Sequence, residues 1–85
     1  MLKMFILENC PHCKLARKCL KELQEEDKYK DIKIEMIDEG LNPEVANQYD
    51  YYYVPTFFND DKKLFEGHME KEDVKKVLDE YLAGK

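Results

Sequence analysis

Apolar residues along this chain fall into two spacings, and the alternation between them sets out the elements. Leu2 to Leu7 is an almost unbroken apolar run, which predicts a strand buried on both faces. From Pro11 to Asp27 the apolar positions Leu15, Ala16, Cys19, Leu20 and Leu23 recur at helical spacing. Lys14, Arg17, Lys18, Lys21 and Glu22 cover the opposite face. Ile32 to Ile37 alternates apolar and charged residues, as a strand near a sheet edge does. Strand, helix, strand over residues 2–37 predicts a βαβ unit with parallel strands and a right-handed crossover. Asp38-Glu39-Gly40 reads as the turn that closes it. Asn42 stands where it would cap a short helix running from Pro43 to Tyr49. Thr56 to Phe58 is a strand, Asn59-Asp60-Asp61 a turn, and Lys62 to Glu66 the second arm of a hairpin that ends at Gly67-His68. Val74, Val77, Leu78, Tyr81 and Leu82 form the apolar stripe of a last helix over Glu70 to Leu82. The order β-α-β-α-β-β-α is that of an α/β domain, and residues 1–85 make a single one, with no repeat or linker.

Composition narrows the function. With 39% charged and 44% hydrophobic residues the chain can bury a modest core and is not disordered by composition. A net charge of -5 argues against nucleic acid or an anionic membrane as partner. No apolar run approaches a membrane span, and the strand begins too early to leave room for a secretory signal, so the expected location is the cytoplasm. Three cysteines suit that compartment better than a disulfide-stapled secreted scaffold would.

Two of those cysteines carry the candidate chemistry. Asn9-Cys10-Pro11-His12-Cys13-Lys14 lies between the first strand and the first helix. Residues three apart in a first helical turn share a face, within reach of a disulfide's narrow geometry. Pro11 suits the first helical position, where no backbone donor is needed. Cys10 then falls at the N-cap, facing free amide groups and the positive end of the helix dipole, which favours its thiolate. His12 adds positive charge when protonated, so Pro11 and His12 are the residues expected to tune the thiol. Lys14, Arg17 and Lys18 act more weakly, and Glu8 opposes them. Cys10 is the expected nucleophile, and Cys13, one turn deeper, the thiol that resolves the mixed disulfide. Cys19 lies about 9 Å beyond Cys13 along the helix, too far to bridge it, and reads as a small buried apolar side chain. Two other readings stand beside the redox one. Cys10 and Cys13 are metal ligands in the first, although the further candidates are only Cys19, His12 and His68 and no second C-x-x-C exists. The second is an interaction module using Tyr51, Tyr52 and Tyr53, of which one or two should pack inward and the rest form an aromatic rim.

Cys10-Pro11-His12-Cys13 after the first strand, Ala16 and Leu20 on the helix, Val54-Pro55-Thr56 before the third strand and Gly67 after the hairpin together resemble the thioredoxin fold. Over nearly the whole chain the pattern looks most like the short glutaredoxin-like thioredoxins. The resemblance implies a four-stranded mixed sheet flanked by helices, and a cis proline at Pro55 beside the thiols. It also implies a backbone at Val54 that pairs with bound peptide or glutathione like an added strand. Tyr53, Val54, Pro55, Gly67 and His68 are thus the expected substrate-binding residues. It implies no bound cofactor beyond a redox-active Cys10–Cys13 disulfide, and a monomer. Its partners would be protein disulfides and a reductase of the thioredoxin reductase kind, with glutathione as the alternative donor. A cluster-carrying glutaredoxin, dimerised on Cys10, is a further variant. The chain departs from the family at Asn9, where thioredoxins carry an aromatic residue. It departs again at Glu8, where glutaredoxins often carry a base, and at His12 and His68. A carboxylate at Glu8 would repel glutathione, which favours protein disulfides. A histidine between the cysteines pushes the reduction potential above that of an ordinary thioredoxin.

Overall fold

The computed structural model describes residues 1–84. Its elements follow the expected order: β1 (Leu2–Ile6), α1 (Pro11–Leu23), β2 (Ile34–Asp38), α2 (Pro43–Ala46), β3 (Thr56–Asn59), β4 (Lys62–Glu66) and α3 (Lys71–Ala83). The four strands form one mixed sheet in the order β2-β1-β3-β4. β1 runs parallel to β2 and antiparallel to β3, and β3 pairs antiparallel with β4. The apolar run thus sits in the centre and the alternating strand at an edge, where Met36 remains partly exposed.

Each face of the sheet has its own core. Leu2, Met4 and Ile6 of β1 pack with Phe57 against Ala16, Leu20 and Leu23 of α1 and Val74, Val77 and Leu78 of α3. The opposite parity of β1 places Phe5 with Ile37, Ala46 and Phe58, beside Tyr49 and Tyr51. Lys3 shares that second face, where its Nζ donates to Tyr49 Oη at 2.7 Å.

The helices end differently from their sequence patterns. α1 stops at Leu23 rather than Asp27, since Gln24 Nε2 donates across the following loop to the Ile32 carbonyl at 2.8 Å. Tyr29 then turns inward, fully buried, and its hydroxyl donates to Asp79 of α3 at 2.6 Å. α2 is a single turn, and Asn42 does not cap it; its side-chain amide donates instead to the Asp38 carbonyl at 3.3 Å. At α3 the Glu70 amide donates to Asp73 Oδ2 at 2.9 Å, which satisfies the backbone at the helix start. Among the described residues no helix is long and apolar enough to cross a membrane.

Strand register brings four connections to one end of the sheet. Ile6 at the end of β1 lies beside Asp38 at the end of β2, and Phe5 faces Thr56 at the start of β3, which in turn faces Glu66 at the end of β4. Residues 7–10, 39–42, 51–55 and 67–70 therefore converge.

Candidate active site

Cys10 occupies the N-cap of α1 with extended backbone, and Pro11 is the first helical residue. The Cys10 amide donates to the Leu7 carbonyl at 3.1 Å, and the Cys10 carbonyl accepts from the Lys14 amide at 3.1 Å, so the loop is held on both sides. Cys10 and Cys13 are neighbours with free thiols, and they sit in unequal surroundings. Cys10 is half-buried, whereas Cys13 is only 1% exposed.

That inequality separates their acidities. Burial is the largest single influence on Cys10 and opposes its ionisation. Donation from the Cys13 amide, the Cys13 thiol and the His12 amide outweighs it, and the Cys10 thiol falls below its ordinary range. Burial dominates at Cys13 and pushes its thiol up to about 11, aided by the neighbouring charge at Cys10 and opposed by the Leu7 N–H, which donates to Cys13 Sγ at 3.4 Å. The backbone of residue 12 thus contributes to acidifying Cys10. Glu39, which the sequence shows only as part of a turn, raises both thiols by its charge. Its carboxylate accepts from Tyr51 Oη at 3.4 Å and its amide donates to the Ile6 carbonyl at 2.9 Å. Lys14, Arg17 and Lys18 line a separate groove along the outer face of α1, together with Lys21 and Met36.

On the other side of the thiols, the Val54–Pro55 peptide is cis and Pro55 is fully buried. Gly67 donates to the Pro55 carbonyl at 2.9 Å and adopts φ +98°, a left-handed conformation suited to glycine. Of the three tyrosines, Tyr51 packs inward with its ring 4.9 Å from that of Phe5. Tyr52 and Tyr53 both face solvent, 84% and 70% exposed, because this stretch is bent and not extended, so strand alternation does not apply to it. The Glu66 carboxylate holds the bend by accepting from the amides of Tyr52 and Tyr53, and it also pairs with Lys63 at 2.8 Å. His68 reaches back to His12, the Nδ1 atoms 2.9 Å apart. Cys19 is buried in the core. A groove of about 540 Å³ opens beside Cys10 between Leu7, Asn9, Asp38 and Leu41. Among the described residues no three or more His, Cys, Asp or Glu side chains gather as a metal site.

Lys63 and the two amides hold the Glu66 carboxyl down, from an ordinary 4.5 to about 2. The folded form therefore gains stability that is complete above about pH 4.5 and is lost as pH falls toward about 2. Lys63 is partly solvated, so we expect Glu66→Gln to cost only about 1 kcal/mol at neutral pH, or about 5 °C in Tm. Melting curves from pH 7 down to about pH 2 should show the difference from wild type closing. A constant difference would mean that the charge of Glu66 contributes nothing.

The family model of the thioredoxin domain matches residues 2–79. No protein of curated function matches the chain. Among solved structures, the thioredoxin-like protein BC3987 superposes with TM-score 0.64 at 18% identity, over 91% of this chain and 99% of that one. A single-site mutant of the same protein gives 0.65 at 20%, over 92% and 99%. A designed protein gives 0.63 at 28% identity, over 98% of this chain and 72% of its own. At these identities the two BC3987 structures speak to the fold alone.

Proposed function

We propose that this chain, which belongs to the thioredoxin domain family, is a dithiol–disulfide oxidoreductase that reduces protein disulfides through Cys10 and Cys13. The observation that carries this reading is the inequality of the two neighbouring thiols, one accessible and acidified, the other sealed and held protonated.

The Cys10 thiolate attacks one sulfur of a substrate disulfide. A mixed disulfide forms, and the other substrate sulfur leaves as a thiolate that takes a proton from solvent. Cys13 then gives up its proton to solvent and attacks Cys10 Sγ, releasing the second substrate sulfur as a thiolate that takes up a proton in turn and leaving a Cys10–Cys13 disulfide. Two electrons and two protons from a reductase restore the dithiol. The enhanced acidity of Cys10 suits attack near neutrality. The weak acidity of Cys13 keeps it a thiol until the mixed disulfide has formed, which leaves time for substrate to dock. Val54 lies in a connection that converges on the same end of the sheet as the Cys10 loop, where its backbone would pair with an extended peptide, and the exposed rings of Tyr52 and Tyr53 supply apolar area for it. Glu8 and Asp38 line the groove on the other side of Cys10, which disfavours the carboxylates of glutathione and supports a protein substrate with a reductase as donor.

The test is to trap the first step. Cys13→Ser leaves Cys10 free to attack and removes the group that resolves the product. We expect it to accumulate a stable adduct with a reduced-and-reoxidised test protein such as insulin, visible as a mass shift that dithiothreitol reverses. Recovery of the adduct on Cys13 in the converse variant Cys10→Ser would assign the roles the other way round. Turnover with NADPH and thioredoxin reductase is expected to exceed turnover with glutathione and glutathione reductase. The reverse preference would refute the choice of donor.

A further inference from the structure

Three side chains at the mouth of the site form a line that disulfide exchange, as described, leaves unused. His12 Nδ1 lies 2.9 Å from His68 Nδ1, and His68 Nε2 lies 3.2 Å from Glu70 Oε1. The two rings meet edge to face, 85° apart, with centroids separated by 5.0 Å. The line joins the start of α1 to the start of α3 across 56 residues of sequence.

Its hydrogens can be placed by elimination. A carboxylate oxygen only accepts, so the His68 nitrogen beside Glu70, Nε2, carries a proton. A neutral His68 then has a bare Nδ1, which can only accept. The atom facing it, His12 Nδ1, must therefore be the donor. A neutral His12 is thereby held as its Nδ1–H tautomer with a lone pair on Nε2. An added proton can enter at His12 Nε2 without disturbing either hydrogen bond. In the neutral pair the line therefore leaves Nε2 as the open nitrogen of His12, the residue that stands between the two cysteines in the sequence.

We propose that His68 and Glu70 are positioning residues for His12, fixing Nδ1 as its protonated nitrogen and leaving Nε2 as the nitrogen open to proton exchange. This inference rests on the redox reading above for its use, but its geometry can be tested without turnover. Every group in the line is supplied by the chain, and the proton that His12 Nε2 takes up or releases comes from solvent or from a thiol of the exchange.

Long-range proton–nitrogen spectra of the reduced, ¹⁵N-histidine-labelled chain at about pH 9, where imidazole rings are neutral, distinguish protonated from bare ring nitrogens. The expected pattern is His12 with Nδ1 protonated and Nε2 bare, and His68 with the opposite arrangement. In His68→Ala the His12 signals should move to those of a freely exchanging ring. In His68→Asn, whose side-chain oxygen replaces the accepting Nδ1, they should return toward wild type. A His12 ring that is already averaged in the wild type, or unchanged in His68→Ala, overturns the proposal. Alkylation gives a second readout. His68→Ala should slow alkylation of Cys10 at neutral pH by at least about twofold, and should add nothing in a His12→Ala background. An equal effect in both backgrounds overturns the proposal too. Loss of the redox reading itself would appear elsewhere, as disulfide reduction that survives Cys10→Ser, so the two failures are distinguishable.

Discussion

Cys10→Ser is expected to lower the turnover of insulin disulfides by at least about a thousandfold, while leaving the fold intact. The attacking species is a thiolate, and a serine hydroxyl at the same N-cap remains neutral at any pH the protein tolerates. Serine is among the better N-cap residues, so the helix start should hold or gain stability. Lost activity can thus be separated from lost structure by a circular dichroism melt of the same sample. Cys19→Ser supplies the matched control. Its thiol is buried in the core, and burial makes it less acidic than an ordinary thiol, so turnover should stay within about twofold of wild type. Retention of more than about a tenth of wild-type turnover in Cys10→Ser would place the nucleophile elsewhere.

The largest expected change in stability comes from Phe5→Ala. Phe5 is fully buried on the central strand, with ring centroids of Tyr49, Tyr51 and Phe58 at 4.8, 4.9 and 5.6 Å. Truncation removes the ring around which the second core is built, at a cost of about 3–5 kcal/mol. Against a typical total of about 5–15 kcal/mol, that shift is a large fraction of the whole and corresponds to about 20 °C in Tm for a domain of this size. Urea denaturation should show a lower midpoint with an unchanged slope. A loss below about 1 kcal/mol would mean that the ring cluster is not packed as described. Tyr51 leads into the bend before Pro55 and rests on Phe5, so the same variant should also weaken substrate capture at temperatures where it remains folded.

Much of the fold is legible because the information is local. A run such as Met4-Phe5-Ile6 can satisfy itself only between two layers, and the helical stripes of residues 15–23 and 74–82 name their own inner faces. The end of α1 is different. Glu25 and Glu26 are good helix formers, and nothing nearby reveals that Gln24 will bond to Ile32 or that Tyr29 will find Asp79, 50 residues on. One of the three tyrosines packs inward and two stay outside, as expected, but the bend that sets which ones is held by Glu66 from another strand and is not visible locally. At the site, the spacing of Cys10 and Cys13 and the Val54-Pro55-Thr56 segment stand out in sequence. Glu39, Glu66 and the His12–His68–Glu70 line do not. They become neighbours only through the strand order β2-β1-β3-β4, which gathers four distant connections at one end of the sheet.

The sealed position of Cys19 has a practical consequence. At 6% exposure, and packed on the inner side of α1 among Ala16, Leu20 and Leu23, it offers a bulky maleimide no approach while the helix stays seated. The rate at which such a reagent marks residue 19 in a Cys10→Ser, Cys13→Ser background therefore counts how often α1 lifts from the sheet. The domain carries its own stopwatch for opening, placed by nature where an engineer would otherwise have to install one.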